Sequence, residues 1–110
     1  MLKVYQIVLS NSEIDAANRG EYVPKRELKR DIMFDAIAIN SSSIEHFTHV
    51  AEVDTDDMDE AFELMNLWNA PTRVRRMSER CSSMSVGDLI EHEDGRTFFV
   101  AGCGFTEINV

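Results

Sequence analysis

The hydrophobic period of the chain changes near its middle from two residues to between three and four, and this change restricts the fold more than any other feature. Over 47–53 one set of residues alternates with another, which predicts a strand with His49 and Ala51 on the same face. The first set is Phe47, His49, Ala51 and Val53, and the second is Thr48, Val50 and Glu52. Over 55–69 the apolar residues recur three or four positions apart, as on one face of a helix. They are Met58, Ala61, Phe62, Met65 and Trp68. Asp54 is the predicted N-cap of this helix, and Pro71 is expected to end it.

The N-terminal third of the chain predicts one strand and two helices. Residues 3–9 are rich in Val, Ile and Tyr, which favours a strand. Ser10 and Glu13 have the three-residue spacing of a capping box, and they predict a helix over 12–19. A second helix is expected over 24–38, because this segment opens with a proline and continues with good helix formers.

The C-terminal part predicts a β-hairpin and one further strand. Strands are expected over 88–92 and 96–101, joined by an Asp-Gly turn, and over 105–108. Residues 72–85 are predicted to form a loop. The elements together predict a single compact α+β domain over 1–110, with an antiparallel sheet of about four or five strands packed against two or three helices.

Composition narrows the class of protein. A chain of 110 residues with 44% hydrophobic residues fits one globular core, and no run approaches the ~18 apolar residues that a membrane span needs. Cys81 and Cys103 are too few for a disulfide framework, so reduced thiols in a cytoplasm are the simpler interpretation. No catalytic motif stands out, and His46 and His49 lack the spacing of a zinc motif. We therefore expect a non-enzymatic protein without cofactor or metal.

Charge is distributed unevenly along the chain. Twenty acids and eleven bases give a formal charge of −9, which opposes binding to a nucleic-acid backbone. No Lys or Arg occurs between Asp31 and Thr72, and acids are dense at one end of this stretch. The dense group is Glu52, Asp54, Asp56, Asp57, Asp59, Glu60 and Glu63. These residues are either the solvated face of an amphipathic helix or a surface that binds a partner.

The leading hypothesis is that the acidic group binds a host protein and alters its activity. Such a partner would carry a basic or nucleic-acid-binding surface, since opposite charge steers and orients docking. Carboxylates along a helix can present negative charge at intervals comparable with those of phosphates. The sharper version is therefore a DNA mimic that blocks a nucleic-acid-binding host enzyme without touching nucleic acid or membrane itself.

Two alternatives stay open. In the first, the 73–88 segment forms a small-ligand or nucleotide-binding site, because guanidinium groups bind phosphate well. Its candidate residues are Arg73, Arg75, Arg76, Arg80, Ser85 and Asp88. Over 85–88, however, a structural corner is the first interpretation, since Ser and Asp side chains satisfy backbone donors in turns. In the second alternative the protein is a homodimer or larger homo-oligomer, with the basic segment 25–30 of one copy meeting the acidic helix of another.

Two segments resemble a known group of proteins. The run 83–88 (Ser-Met-Ser-Val-Gly-Asp), which precedes a hairpin and then a Gly-Phe pair at 104–105, resembles the C-terminal part of YodL-like and related uncharacterised small proteins of phages, plasmids and integrative elements. The run 53–57 (Val-Asp-Thr-Asp-Asp) is similar to phage proteins of the same kind. The resemblance covers residues 53–70 and 80–108. It implies an accessory protein of a mobile element that works in the cytoplasm of a bacterial host, and it assigns no catalytic residue.

Overall fold

One antiparallel sheet organises the computed structural model, which describes residues 1–34, 43–66, 72–102 and 104–108. Its six strands are β1 (Leu2–Ile7), β2 (Phe47–Val53), β3 (Val74–Arg76), β4 (Leu89–Glu91), β5 (Thr97–Val100) and β6 (Phe105–Ile108). They lie in the order β3-β2-β1-β4-β5-β6, and each strand runs antiparallel to its neighbours. The predicted α+β class is confirmed, with one strand more than expected.

The described residues form three α-helices. These are α1 (Asn11–Asn18), α2 (Pro24–Phe34) and α3 (Met58–Asn66), and a short 3-10 helix over Ser43–His46 leads into β2. The predicted capping box of α1 is confirmed, because the Glu13 N–H donates to the Ser10 hydroxyl and the Ser10 N–H donates to the Glu13 carboxylate. The predicted extensions of α2 to residue 38 and of α3 to residue 69, with Trp68 and Pro71, lie outside the described residues.

The sheet carries a hydrophobic cluster on each face, because neighbouring residues of a strand point to opposite sides. The α3 side packs Ala61, Leu64 and Met65 against residues of several strands. Those strand residues are Leu2, Val4, Val50, Ala51, Val53, Val74, Ile90 and Val100. The α2 side packs Leu28 and Ile32 against Ile7, Leu89 and Phe99. Helices therefore cover the central strands on both faces, whereas β3 has one buried residue and β6 has none.

A β-bulge changes the side-chain pattern of β2. Val4 pairs with Ala51, but the next pair is Tyr5 with His49, so Val50 is the extra residue. Val50 and Ala51 both contribute to the core under α3, whereas His49 stacks on Tyr5 on the other face. The strand prediction over Phe47–Val53 is confirmed, but the prediction that His49 shares a face with Ala51 is wrong.

The sixth strand lies in the segment 72–85 that was predicted to be a loop. β3 pairs with β2 through Val74 opposite Val53 and Arg76 opposite Ala51. Val74 is the only buried residue of the three. A three-residue edge strand with two arginines has no alternating hydrophobic pattern, so the sequence shows no sign of it.

The predicted helix cap at Asp54 is wrong. α3 begins at Met58, and the Asp57 carboxylate accepts hydrogen bonds from the N–H groups of Asp59 (2.9 Å) and Glu60 (3.3 Å). The Asp54 N–H instead donates to the Arg73 carbonyl at 2.8 Å. This bond extends the pairing of β2 with the chain entering β3, so Asp54 is tied to the sheet and does not begin the helix.

Candidate functional site

Six of the seven acids predicted to bind a partner lie together on the β2–α3 connection and on α3. We call this group the acidic surface: Asp54, Asp56, Asp57, Asp59, Glu60 and Glu63. Glu52 does not belong to it, because it lies between Ala51 and Val53 in β2, and these two residues face α3. It lies instead beside Lys3 and Arg75 in the sheet register, 3.8 Å from the Arg75 guanidinium.

Bases of the same molecule neutralise part of the acidic surface. The N-terminal amine lies 2.9 Å from the Asp56 carboxylate, and the Arg73 guanidinium lies 2.5 Å from Glu60. A hydrogen bond from the Thr55 hydroxyl and the Arg73 charge lower the pKa of Glu60. The other four carboxylates form no ion pair with any described residue; they are Asp54, Asp57, Asp59 and Glu63. The surface therefore keeps most of its negative charge.

An apolar side chain lies within the acidic surface. Phe62 is 38% exposed on α3, between Asp59 and Glu63 in sequence. Asp59 and Phe62 line a cavity of about 190 Å³ together with Phe105 and the turn that joins β5 to β6. This place combines a carboxylate with apolar surface, which suits a partner side chain that is both basic and apolar along its length.

The six residues of the alternative ligand site do not converge. Arg73 pairs with Glu60, and Arg75 pairs with Glu52. Arg80 donates to the side-chain oxygen of Asn11, the first residue of α1. The remaining candidates are Arg76 on β3 and Ser85 with Asp88 in a tight corner before β4. The arginines of this segment therefore do not form a single phosphate clamp.

The corner at 85–88 has the structural role predicted for it. The Asp88 carboxylate accepts hydrogen bonds from the Ser85 N–H (3.0 Å) and the Gln6 amide (2.9 Å), and the side chain is almost fully buried. Gly87 has a φ of 101°, a conformation that strongly favours glycine. Burial raises the pKa of Asp88 to about 6, although the hydrogen bonds from Ser85 and Gln6 and the charge of Lys29 act in the opposite direction.

Sequence reasoning missed Gln6, the central residue of this corner. Gln6 is 2% exposed. Its amide nitrogen donates to Asp88 and to the Ser82 carbonyl, and its amide oxygen accepts from the Ser82 N–H at 3.1 Å. The one available signal was its position, since Gln6 shares a strand face with the buried Val4. A polar residue at such a position needs partners in the interior.

A second polar group that the sequence did not reveal lies on the α2 face. Tyr5 stacks on His49 with ring centroids 5.2 Å apart, and its hydroxyl donates to Glu91 at 3.3 Å. Burial and the nearby Glu91 charge raise the pKa of Tyr5. The group borders a cavity of about 280 Å³ over Phe47 and Leu89. Its charges are already balanced, because Lys3 lies 3.9 Å from Glu91.

Comparison with known proteins and a search for metal sites and membrane-spanning helices give few constraints on function. No family model matches the chain, and no curated protein or solved structure was found to be similar to it. The resemblance to YodL-like proteins stays a prediction. In the part of the chain that the structure describes, no cluster of three metal-ligating side chains occurs and no helix is long and apolar enough to cross a membrane. Cys81 is a free thiol, and Cys103 lies outside the described residues.

Proposed function

We propose that this protein is a non-enzymatic binding protein that docks a basic host protein on its acidic surface. In this proposal it is an accessory protein of a phage or other mobile element and works inside a bacterial cell. The observation that carries the proposal is the exposure of Phe62 among carboxylates that have no ion pair in the described chain. Charge alone would serve solubility, but Phe62 shares a cavity with Phe105 and Asp59, so aromatic surface that can anchor a partner lies next to the charge.

The distribution of ion pairs supports a compact docking site over an extended imitation of DNA. Duplex DNA carries one phosphate for every ~1.7 Å of its axis. The acidic surface offers four carboxylates that form no ion pair with a described residue, and Glu52 lies on the other face of the sheet. DNA mimicry is therefore the narrower form of the proposal, and it requires that the partner's nucleic-acid site be the place of docking.

The proposal is tested by affinity capture from a bacterial lysate with three forms of the protein. The test variant is Asp59→Asn/Phe62→Ala/Glu63→Gln. The matched control is Asp15→Asn/Met77→Ala/Glu79→Gln, which removes the same kinds of exposed side chain elsewhere. We expect wild type and control to recover one basic protein in equal amounts and the test variant to recover at least about tenfold less, the factor that ~1.4 kcal/mol represents.

The recovered protein is then purified and titrated directly against the three forms. Its affinity for wild type should fall as salt is raised, because exposed charges are screened. Equal binding of the test variant and wild type would contradict the proposal. Competition with duplex DNA separates the two versions: mutual exclusion supports mimicry, and simultaneous binding rejects mimicry while leaving the docking site in place.

A further inference from the structure

The bases of the chain divide into a large paired set and a small unpaired set. Seven of the eleven Lys and Arg side chains form ion pairs: Lys3, Arg19, Lys25, Arg30, Arg73, Arg75 and Arg96. The other four form none with the described residues; they are Arg26, Lys29, Arg76 and Arg80. Two of these four line the same cavity.

Lys29 and Arg80 both line a cleft of about 230 Å³. The cleft lies beside the end of β1, where α1, α2 and the segment before the 85–88 corner meet. The Lys29 ammonium lies 3.5 Å from the Ile7 carbonyl, and the Arg80 guanidinium donates to the Asn11 amide oxygen. Both partners are neutral. They fix the positions of the two cations without cancelling their charge, and several N–H donors of each cation remain free.

The wall of the cleft that carries Arg80 is held by the buried Gln6. The Gln6 amide oxygen accepts from both the backbone N–H (3.1 Å) and the hydroxyl (3.3 Å) of Ser82. Gln6 and Ser82 both line the cleft, so this amide fixes the chain two residues after Arg80. A binding site gains affinity when its groups are positioned in advance, because less conformational entropy is lost on binding.

The size and composition of the cleft limit its ligand. Its volume is below the ~300–1,000 Å³ that is usual for drug-sized ligands. Its lining also has apolar side chains, which include Leu9 and Ile14. A guanidinium and an ammonium together suit a doubly charged oxyanion, since Arg matches its planar oxygen pairs and Lys supplies a point charge. We propose that Lys29 and Arg80 bind the phosphate group of a small phosphorylated molecule in this cleft.

Asp88 opposes this assignment, because its carboxylate is close enough to interact with the Lys29 charge. Its carboxylate is occupied by the Gln6 amide and the Ser85 N–H, and it forms no ion pair with Lys29. The phosphate would lie on the open side of Gln6, with the amide between it and Asp88. The cleft is separate from the acidic surface, so this inference does not depend on the proposed function.

The inference is tested by calorimetric titration with inorganic phosphate, glycerol phosphate and acetate at constant ionic strength. The test variant is Lys29→Gln/Arg80→Gln. The matched control is Arg26→Gln/Arg76→Gln, which removes the two unpaired bases that do not line the cleft. We expect wild type and control to bind phosphate alike and the test variant to lose at least about tenfold in affinity, as expected for lost charged hydrogen bonds. Tighter binding of glycerol phosphate than of inorganic phosphate would identify an organic phosphate as the ligand.

Three outcomes would overturn the inference. They are equal binding by the test variant and the control, acetate binding as tightly as phosphate, and no saturable binding by wild type. An NMR titration of the wild-type protein gives a reading that does not depend on the variants. The backbone amides of Leu9, Arg80 and Ser82 should shift with inorganic phosphate, and shifts confined to residues away from the cleft would equally reject it.

Discussion

The acidic surface and the corner around Asp88 both collect polar side chains, but they use them in opposite environments. On the acidic surface the carboxylates are in water, and a pair such as Glu60 with Arg73 is largely exposed. In the corner, Gln6 and Asp88 are nearly without solvent contact. An exposed ion pair typically contributes little to stability, whereas a buried polar group that loses its partner costs ~1–3 kcal/mol or more. The same residue types therefore serve interaction in one region and fold specification in the other.

The largest predicted difference between the two regions is in how they make the free energy of unfolding depend on pH, and the corner has the larger effect. The pKa of Asp88 rises from 3.8 to about 6 in the folded protein. Between these values the folded state binds more protons than the unfolded state, so the free energy of unfolding falls as pH rises. We expect wild type to lose about 2 kcal/mol relative to Asp88→Asn between pH ~4 and ~7, which is most of the ~3 kcal/mol that a shift of this size represents over the full titration. Urea unfolding of both proteins across this range measures the difference.

The difference in stability between wild type and Asp88→Asn separates the titration of Asp88 from that of the surface carboxylates. Hydrogen bonds lower the pKa values of Glu13, Glu60 and Asp94, which contribute a pH dependence of the opposite sign. These groups are present in both proteins and cancel. Parallel stability curves for wild type and Asp88→Asn would show that the corner does not titrate differently from the surface.

The two regions also differ in how far the sequence predicts them. Local signals identified β2 by its alternation and α1 by Ser10 and Glu13, because neighbours along the chain determine both. The corner depends on contacts of Gln6 with Ser82 and Asp88, which lie 76 and 82 positions further along the chain. No local pattern encodes such pairs. The sequence did indicate that 85–88 is a corner, but it did not indicate which buried side chain completes it.

Failures of prediction at the acidic surface had a different cause. The acids are easily recognised in the sequence, but their positions in the folded protein depend on the sheet. Strand alternation separates Glu52 from the others, and this signal was present beside Ala51 and Val53. The choice of Asp57 over Asp54 as helix cap depends on β3, whose pairing holds Asp54 through the Arg73 carbonyl. A three-residue edge strand has too little pattern to be recognised before the fold is known.

The helix cap gives the next largest effect and contrasts two acids of one surface. Asp57→Ala should cost about 1 kcal/mol, because the N–H groups of Asp59 and Glu60 lose their acceptor. Asp54→Ala should leave the unfolding midpoint almost unchanged, since its side chain caps nothing. Thermal and urea unfolding of the two variants measures this difference. Equal losses for both, or a larger loss for Asp54→Ala, would contradict the assignment of the cap.

The smallest effect on stability is expected from the acids of α3, although their substitution should weaken partner binding the most. Asp59 and Glu63 lie four residues apart on α3, at the spacing where like charges repel by a few tenths of a kcal/mol. Glu63→Gln should therefore raise the free energy of unfolding by about 0.3 kcal/mol at low salt, because it removes the repulsion and leaves Asp59 in the first turn of α3, where the helix dipole favours a carboxylate. The gain should disappear at high salt, where the repulsion is screened. Urea unfolding at two ionic strengths measures this change. A clear loss of stability would show that the Glu63 carboxylate contributes to the fold. A small gain together with weaker partner capture would show that the protein keeps this repulsion for binding.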